Sequence, residues 1–166
     1  MKKLYFVFSV LLITVVSAAQ NSVDTTPLYK RFPTVPPFNL LQTDSVSFFT
    51  KNNLKKNKPV LVILFNPECD HCKHETEEII NHIKELKKVQ IVMATMAQYS
   101  QMKDFYLKYK LGEFSNIKVG QDFQYMLPSF YRVHSLPYLA MYDRKGNLLT
   151  TFEGSMKIDD LINVFK

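Results

Sequence analysis

The sequence has no tryptophan, only two cysteines and only four glycines among its 166 residues. Two cysteines close a single bridge at most, which excludes a disulfide-stapled miniprotein, and by themselves they leave a four-ligand metal site incomplete. Low aromatic content, the mark of a disordered chain, is not found: 13 Phe and 9 Tyr give ample surface to bury. Charge of one sign does not collect in a block. The formal +6 is spread along the chain and reads mainly as solubility. The one local cluster, Lys51, Lys55, Lys56 and Lys58, has no interleaved aromatic platform for nucleic acid and reads as a solvated loop. Length and composition fit one compact domain.

The N-terminus carries the marks of a secretory signal. Lys2 and Lys3 precede an apolar run from Leu4 to Val16, and Ser17-Ala18-Ala19 supplies the small residues of a cleavage site. The run is about 13 residues long, short of the roughly 20 a spanning helix needs, so a cleaved leader (residues 1–19) is preferred over a retained anchor. No cysteine follows the cleavage region, which excludes a lipid-modified N-terminus. A periplasmic or secreted protein with no stable membrane span is expected, in a compartment where a cysteine pair can be oxidised. Residues 20–37 are polar, hold four prolines (Pro27, Pro33, Pro36, Pro37) and read as an extended arm that wraps the domain or trails. The domain proper is expected over 38–166.

Within it, Val60 to Phe65 is an unbroken aliphatic run, the pattern of a strand buried on both faces. After Asn66-Pro67-Glu68 the period changes. Cys72, Thr76, Ile79, Ile80, Ile83 and Leu86 recur at helical spacing, predicting an amphipathic helix of about four turns with acids early and lysines late. Gln90 to Ala97 reads as a second buried strand, followed by a helix capped at Ser100 and closed at Gly112. Asn116 to Gly120 reads as a short strand, and Phe123 to Val133 as a helical stretch that Pro128 starts or interrupts. Leu136–Tyr142 and Leu148–Phe152, joined by a loop containing Gly146, form an antiparallel hairpin, and Lys157–Lys166 a closing helix. For Phe38 to Leu54 only Ser47-Phe48-Phe49 stands out, able to form a strand or a turn of helix. This order specifies an α/β sandwich, a mixed sheet with helices on both faces.

Chemistry enters at Cys69-Asp70-His71-Cys72, a CxxC placed where a buried strand turns into a helix. Helix-terminal N–H groups favour a thiolate on the first cysteine, and the spacing brings both sulfurs to one side. Alone, the pair could be half a zinc site completed by His71, His74 or His134. Pro137 opens a strand that needs its backbone bonds. A cis X-Pro bond at a turn explains it better than a proline that starts an edge strand.

Together these elements resemble the thioredoxin superfamily over about Phe38 to Lys166. The signal, the arm ending Pro36-Pro37-Phe38-Asn39-Leu40, the insertion Gly112–Val133 and the Asp143–Gly146 turn look like its extracytoplasmic TlpA/ResA-like branch. The chain departs from the family in carrying Glu68 where members usually have Trp before the first cysteine. Ile63 stands where thioredoxin has a buried acid. Glu75, three residues after Cys72, stands where ResA-like proteins carry a glutamate. Peroxiredoxins share the fold, but their P-x-x-x-T-x-x-C signature is absent before Cys69.

The resemblance implies a thioredoxin-like three-layer sandwich and a thiol–disulfide oxidoreductase, more often a reductase of extracytoplasmic protein disulfides. Cys69 would attack a substrate disulfide and Cys72 resolve the mixed disulfide. His71 could favour the thiolate, or be a solvated residue at the helix start. Glu75 could accept the proton of Cys72, or be an exposed acid placed well at a helix N-terminus. Glu68 would oppose a thiolate if its charge lay close. Leu136 and Pro137 would meet an extended substrate strand. The expected partners are protein disulfide or dithiol substrates and an upstream redox protein, with no cofactor, no resident metal, no nucleic acid and a monomeric chain. The competing reading is a copper or zinc carrier holding metal through Cys69, Cys72 and a histidine. Met93, Met96, Met102, Met126 and Met141 read as core and not as copper ligands.

Overall fold

The computed structural model describes residues 25–166. The expected leader and the first residues of the arm lie outside the described residues.

A seven-stranded sheet runs in the order β2-β1-β5-β4-β3-β6-β7. Its strands are β1 (Asn39–Gln42), β2 (Phe48–Thr50), β3 (Val60–Phe65), β4 (Gln90–Thr95), β5 (Ile117–Gln121), β6 (Tyr138–Tyr142) and β7 (Leu148–Glu153). β3, β4 and β5 are parallel, and the pairings β1–β2, β1–β5, β3–β6 and β6–β7 are antiparallel. Five α-helices lie among the described residues: α1 (Leu28–Arg31), α2 (Asp70–Asn81), α3 (Tyr99–Lys108), α4 (Met126–Tyr131) and α5 (Ile158–Val164).

The period of two along each central strand splits the core into two layers. Leu61, Ile63 and Phe65 of β3, with Ile91 and Met93 of β4 and Leu139 and Met141 of β6, pack against Cys72 and Ile79 of α2, Met102 and Phe105 of α3 and Leu161 of α5. The alternate residues Val60, Val62, Leu64, Val92, Ala94, Tyr138, Ala140 and Tyr142 pack against Leu127, Phe130 and Tyr131 of α4 and against Val35 and Phe38 of the arm. The uninterrupted apolar run of β3 is thus apolar because both its faces are covered.

Several elements differ from the sequence expectation. Regular helix α2 stops at Asn81, and the chain continues in turns closed by Ile83 N–H to the Ile80 carbonyl and Glu85 N–H to the His82 carbonyl. Ile83 and Leu86 still pack on the core, so the apolar spacing persists without a regular helix, and Lys84, Lys87 and Lys88 fall beyond its end. Helix α3 is capped by Gln98 and Gln101, not Ser100, and Lys110, not Gly112, takes the left-handed conformation behind it. Gly112 is small for a different reason: a Cβ there would meet the Tyr106 hydroxyl. Pro128 lies in the first turn of α4, where its missing N–H costs no helical bond. Phe38 to Leu54 forms the β1–β2 hairpin and a 3-10 turn, Lys51–Asn53. The arm wraps the domain: Val35 N–H donates to the Gly146 carbonyl, Leu148 N–H to that of Pro33, and Thr34 bridges to Asn147.

Candidate active site

β3 ends at Phe65, and the turn Asn66-Pro67-Glu68 delivers Cys69 to the N-cap of α2. Cys69 is half-buried and its thiol faces the Leu136 carbonyl at 3.8 Å. Both cysteines are free thiols. Cys72 lies on the inner stripe of α2, only 1% exposed, and accepts a hydrogen bond from the Asn66 backbone N–H at 3.5 Å. Burial first, then the neighbouring Cys69 and Glu75, push its thiol up from 9.0 to about 12, against the opposing effect of the Asn66 N–H. The two sulfurs therefore have different settings, one facing outward at the helix cap and one in the core.

Glu75 is 2% exposed, which removes the reading of it as a surface acid. One carboxylate oxygen accepts the Met156 backbone N–H at 2.9 Å, and the other, Oε1, is buried without a partner. Desolvation is the main cause that raises this carboxyl from 4.5 to about 7, partly offset by the Met156 N–H. A carboxyl that titrates near neutrality one helical turn from a buried thiol is suited to exchange a proton with it.

Leu136 and buried Pro137 lead into β6, and the peptide bond between them is cis. β6 is paired on both sides, by β3 and β7, so Pro137 does not open an edge strand. His71 is exposed, and its backbone carbonyl accepts the Ser155 hydroxyl at 3.1 Å. Glu68 points to α3, where its carboxylate accepts the Gln101 side-chain amide at 2.9 Å. His134 lies against Glu153, its Nδ1 3.4 Å from Oε1. Among the described residues no group of three His, Cys, Asp or Glu is placed to hold a metal ion.

Sequence reasoning missed the loop between β7 and α5. Gly154 N–H donates to the Pro137 carbonyl at 2.8 Å, Ser155 binds the His71 carbonyl, and Met156 binds Glu75. Three consecutive residues thus tie the cysteine helix to the proline segment. The only signal for them was Gly154, whose φ of 95° lies in the region that favours glycine.

Comparison with known proteins places this geometry. A family model described as a thioredoxin-like domain matches residues 50–166. No curated protein matches the sequence significantly. Among solved structures, a secreted Mycobacterium tuberculosis disulfide oxidoreductase homologous to E. coli DsbE is similar at 21% identity and a TM-score of 0.65, over 77% of this chain and 93% of its own. A putative thiol:disulfide interchange protein DsbE from Chlorobium tepidum is similar at 19% identity and a TM-score of 0.67, over 79% of this chain and 92% of its own. The peroxidoxin BcpB from Mycobacterium tuberculosis reaches 0.66 at 14% identity, over 79% of this chain and 92% of its own. Likeness at these identities establishes the fold, and the fold hosts more than one chemistry. The family match takes in Cys69, Cys72, Glu75 and Pro137 in one frame, and the chain belongs to the thioredoxin-like domain family.

Proposed function

We propose that this protein is an extracytoplasmic thiol–disulfide oxidoreductase that uses Cys69 and Cys72 as its redox pair, working as a reductase of protein disulfides. The observation that carries this is the unequal setting of the two thiols on one helix start: Cys69 half-exposed beside the Leu136 carbonyl, Cys72 buried and held up at about 12.

In the reducing direction the Cys69 thiolate attacks one sulfur of a substrate disulfide, forming a mixed disulfide and releasing the other substrate sulfur as a thiol after protonation. Cys72 then gives up its proton and attacks the Cys69 sulfur. The second substrate thiolate leaves, the substrate is reduced by two electrons, and the Cys69–Cys72 disulfide remains for an upstream dithiol to reduce. A thiol at about 12 does not ionise unaided near neutral pH. The carboxylate of Glu75, with its free oxygen in the same buried layer, is the acceptor within the fold that supports this step. The Leu136 carbonyl and the segment at Pro137 would bind the substrate strand, and His71 lies exposed between the two cysteines in sequence. Extracytoplasmic placement rests on the leader-like N-terminus and agrees with the secreted Mycobacterium relative.

The test is insulin reduction with dithiothreitol for wild type, Cys69→Ser and Cys72→Ser, with trapping of partners. The wild type turns over, Cys69→Ser is inactive, and Cys72→Ser accumulates mixed disulfides through Cys69. A wild type as inactive as Cys69→Ser that copurifies with stoichiometric metal would mark a carrier instead. Direction is read from the reduction potential against glutathione. A value near the roughly −270 mV of thioredoxin agrees with a reductase, and one near roughly −120 mV marks an oxidant.

A further inference from the structure

We propose that the end of the molecule opposite the cysteine pair is an electrostatic docking surface for an anionic phospholipid membrane. The lysines that look scattered in the sequence converge there. Lys55, Lys56 and Lys58 lie in the loop entering β3, Lys87 and Lys88 in the turns entering β4, and all five are exposed. Lys118, exposed at the start of β5, borders the same cleft as Lys55, Lys58, Lys87 and Lys88, a cleft lined by no carboxylate. Arg144 and Lys145, exposed in the β6–β7 turn, line a second cleft with Lys55, Lys56 and Lys58, again without a carboxylate.

The parallel topology explains the convergence. β3, β4 and β5 all begin at this end, so the segments that precede them meet there, while β6 runs antiparallel and brings its exit turn to the same place. None of these eight cations joins the ion pairs Lys73–Asp70 or His134–Glu153. Glu85 and Asp159 border the surface on the α5 side. Asp143 is occupied by its own turn, accepting the N–H groups of Lys145 and Asn147.

The chemistry of the surface favours lipid over protein. Seven of the eight cations are lysines, which act as point charges, and one is arginine. None of the exposed large apolar side chains falls in these four segments, so the surface lacks the aromatic anchors on which protein interfaces depend. Attraction to an anionic bilayer needs only a like-signed cluster within a Debye length of the headgroups. Cys69 follows the opposite end of β3, about 20 Å away along six residues of strand. Docked in this way, the protein would hold its thiols away from the membrane, toward partners in the aqueous phase.

The test takes the chain in the form its host accumulates and measures cosedimentation with vesicles of phosphatidylcholine alone or with about a third phosphatidylglycerol, at low and high salt. The wild type binds the anionic vesicles at least about tenfold better than the neutral ones at low salt, and the preference fades at high salt. The variant Lys55→Gln/Lys58→Gln/Lys87→Gln/Lys88→Gln loses the preference. A control with equal charge removed elsewhere, Lys103→Gln/Lys108→Gln/Lys110→Gln/Lys157→Gln, retains most of it. Insulin reduction and urea denaturation establish that both variants are folded. Equal binding to both vesicle types, or equal loss in the two variants, overturns the proposal. Binding to poly-glutamate without binding to anionic vesicles also overturns it and assigns the surface to an acidic protein.

Discussion

Glu75 occupies one of the most costly positions in the molecule for a carboxylate. It lies under the turns that follow β7, with one oxygen on the Met156 N–H and the other unpaired. The folded chain holds its proton more tightly than the unfolded chain, about 7 against 4.5. Its contribution therefore favours folding at acid pH and is lost as pH rises through about 7. For a group this deeply placed the loss is of order 2 kcal/mol between about pH 5 and 8. Glu75→Gln removes the ionisable group. The expected result is that the stability difference between variant and wild type grows in the variant's favour over that range in urea titrations of the reduced protein. The same substitution should slow resolution of the mixed disulfide by roughly tenfold to a hundredfold near pH 7, followed by stopped flow. Parallel stability curves would contradict the buried titration. An unchanged resolution rate would leave Glu75 out of the proton path.

At the scale of elements, the position of β5 depends on a close approach. β1 pairs antiparallel with β5, and Gly120 stands opposite Gln42. A Cβ on Gly120 would lie 2.7 Å from the Leu40 Cβ and 3.1 Å from the Leu41 carbonyl oxygen. Neither is the far end of a flexible side chain, so strands must separate to admit it. Gly120→Ala should cost about 1–3 kcal/mol, measured by urea unfolding. The insulin-reduction rate of the folded fraction should not change, because β3, which leads into Cys69, is separated from β5 by β4 in the sheet. This glycine carried no signal in the sequence. The β1–β2 hairpin was illegible as well, because three- and four-residue strands give too little alternation to read. By contrast, β3, β4, α2 and the β6–β7 hairpin were legible, since long apolar runs, helical spacing and a glycine turn are local signals. The end of α2 was not legible: Ile83 and Leu86 keep the helical spacing because they pack on the core, while the backbone between them has already turned.

For the whole molecule, the sheet separates two jobs. The layer toward α2, α3 and α5 contains Cys72, while the layer toward α4 is closed by the arm, with Phe38 and Val35 buried in it. Phe38 is 2% exposed and stacks on Phe49 at 5.9 Å. Phe38→Ala should destabilise the protein by about 3–5 kcal/mol. The reduction potential of the cysteine pair should stay within the error of the measurement, since Phe38 packs on the face of the sheet opposite to the layer that holds Cys72. A shifted potential would mean that the two layers are coupled through the sheet.

By itself, the sequence determined the place of the cysteine pair between a buried strand and a helix, and the α/β order of the elements. Those features are local, set by spacing, periodicity and chain order. Only the tertiary structure decided that Glu75 is buried while His71 is exposed, since both stand on the first turns of one helix and only packing against α5 and its leading loop tells them apart. It also brought the loop Gly154–Met156 to the site and collected lysines from four separate segments at one end of the sheet. Contacts between residues far apart in the chain depend on strand order and direction, and no periodicity records those.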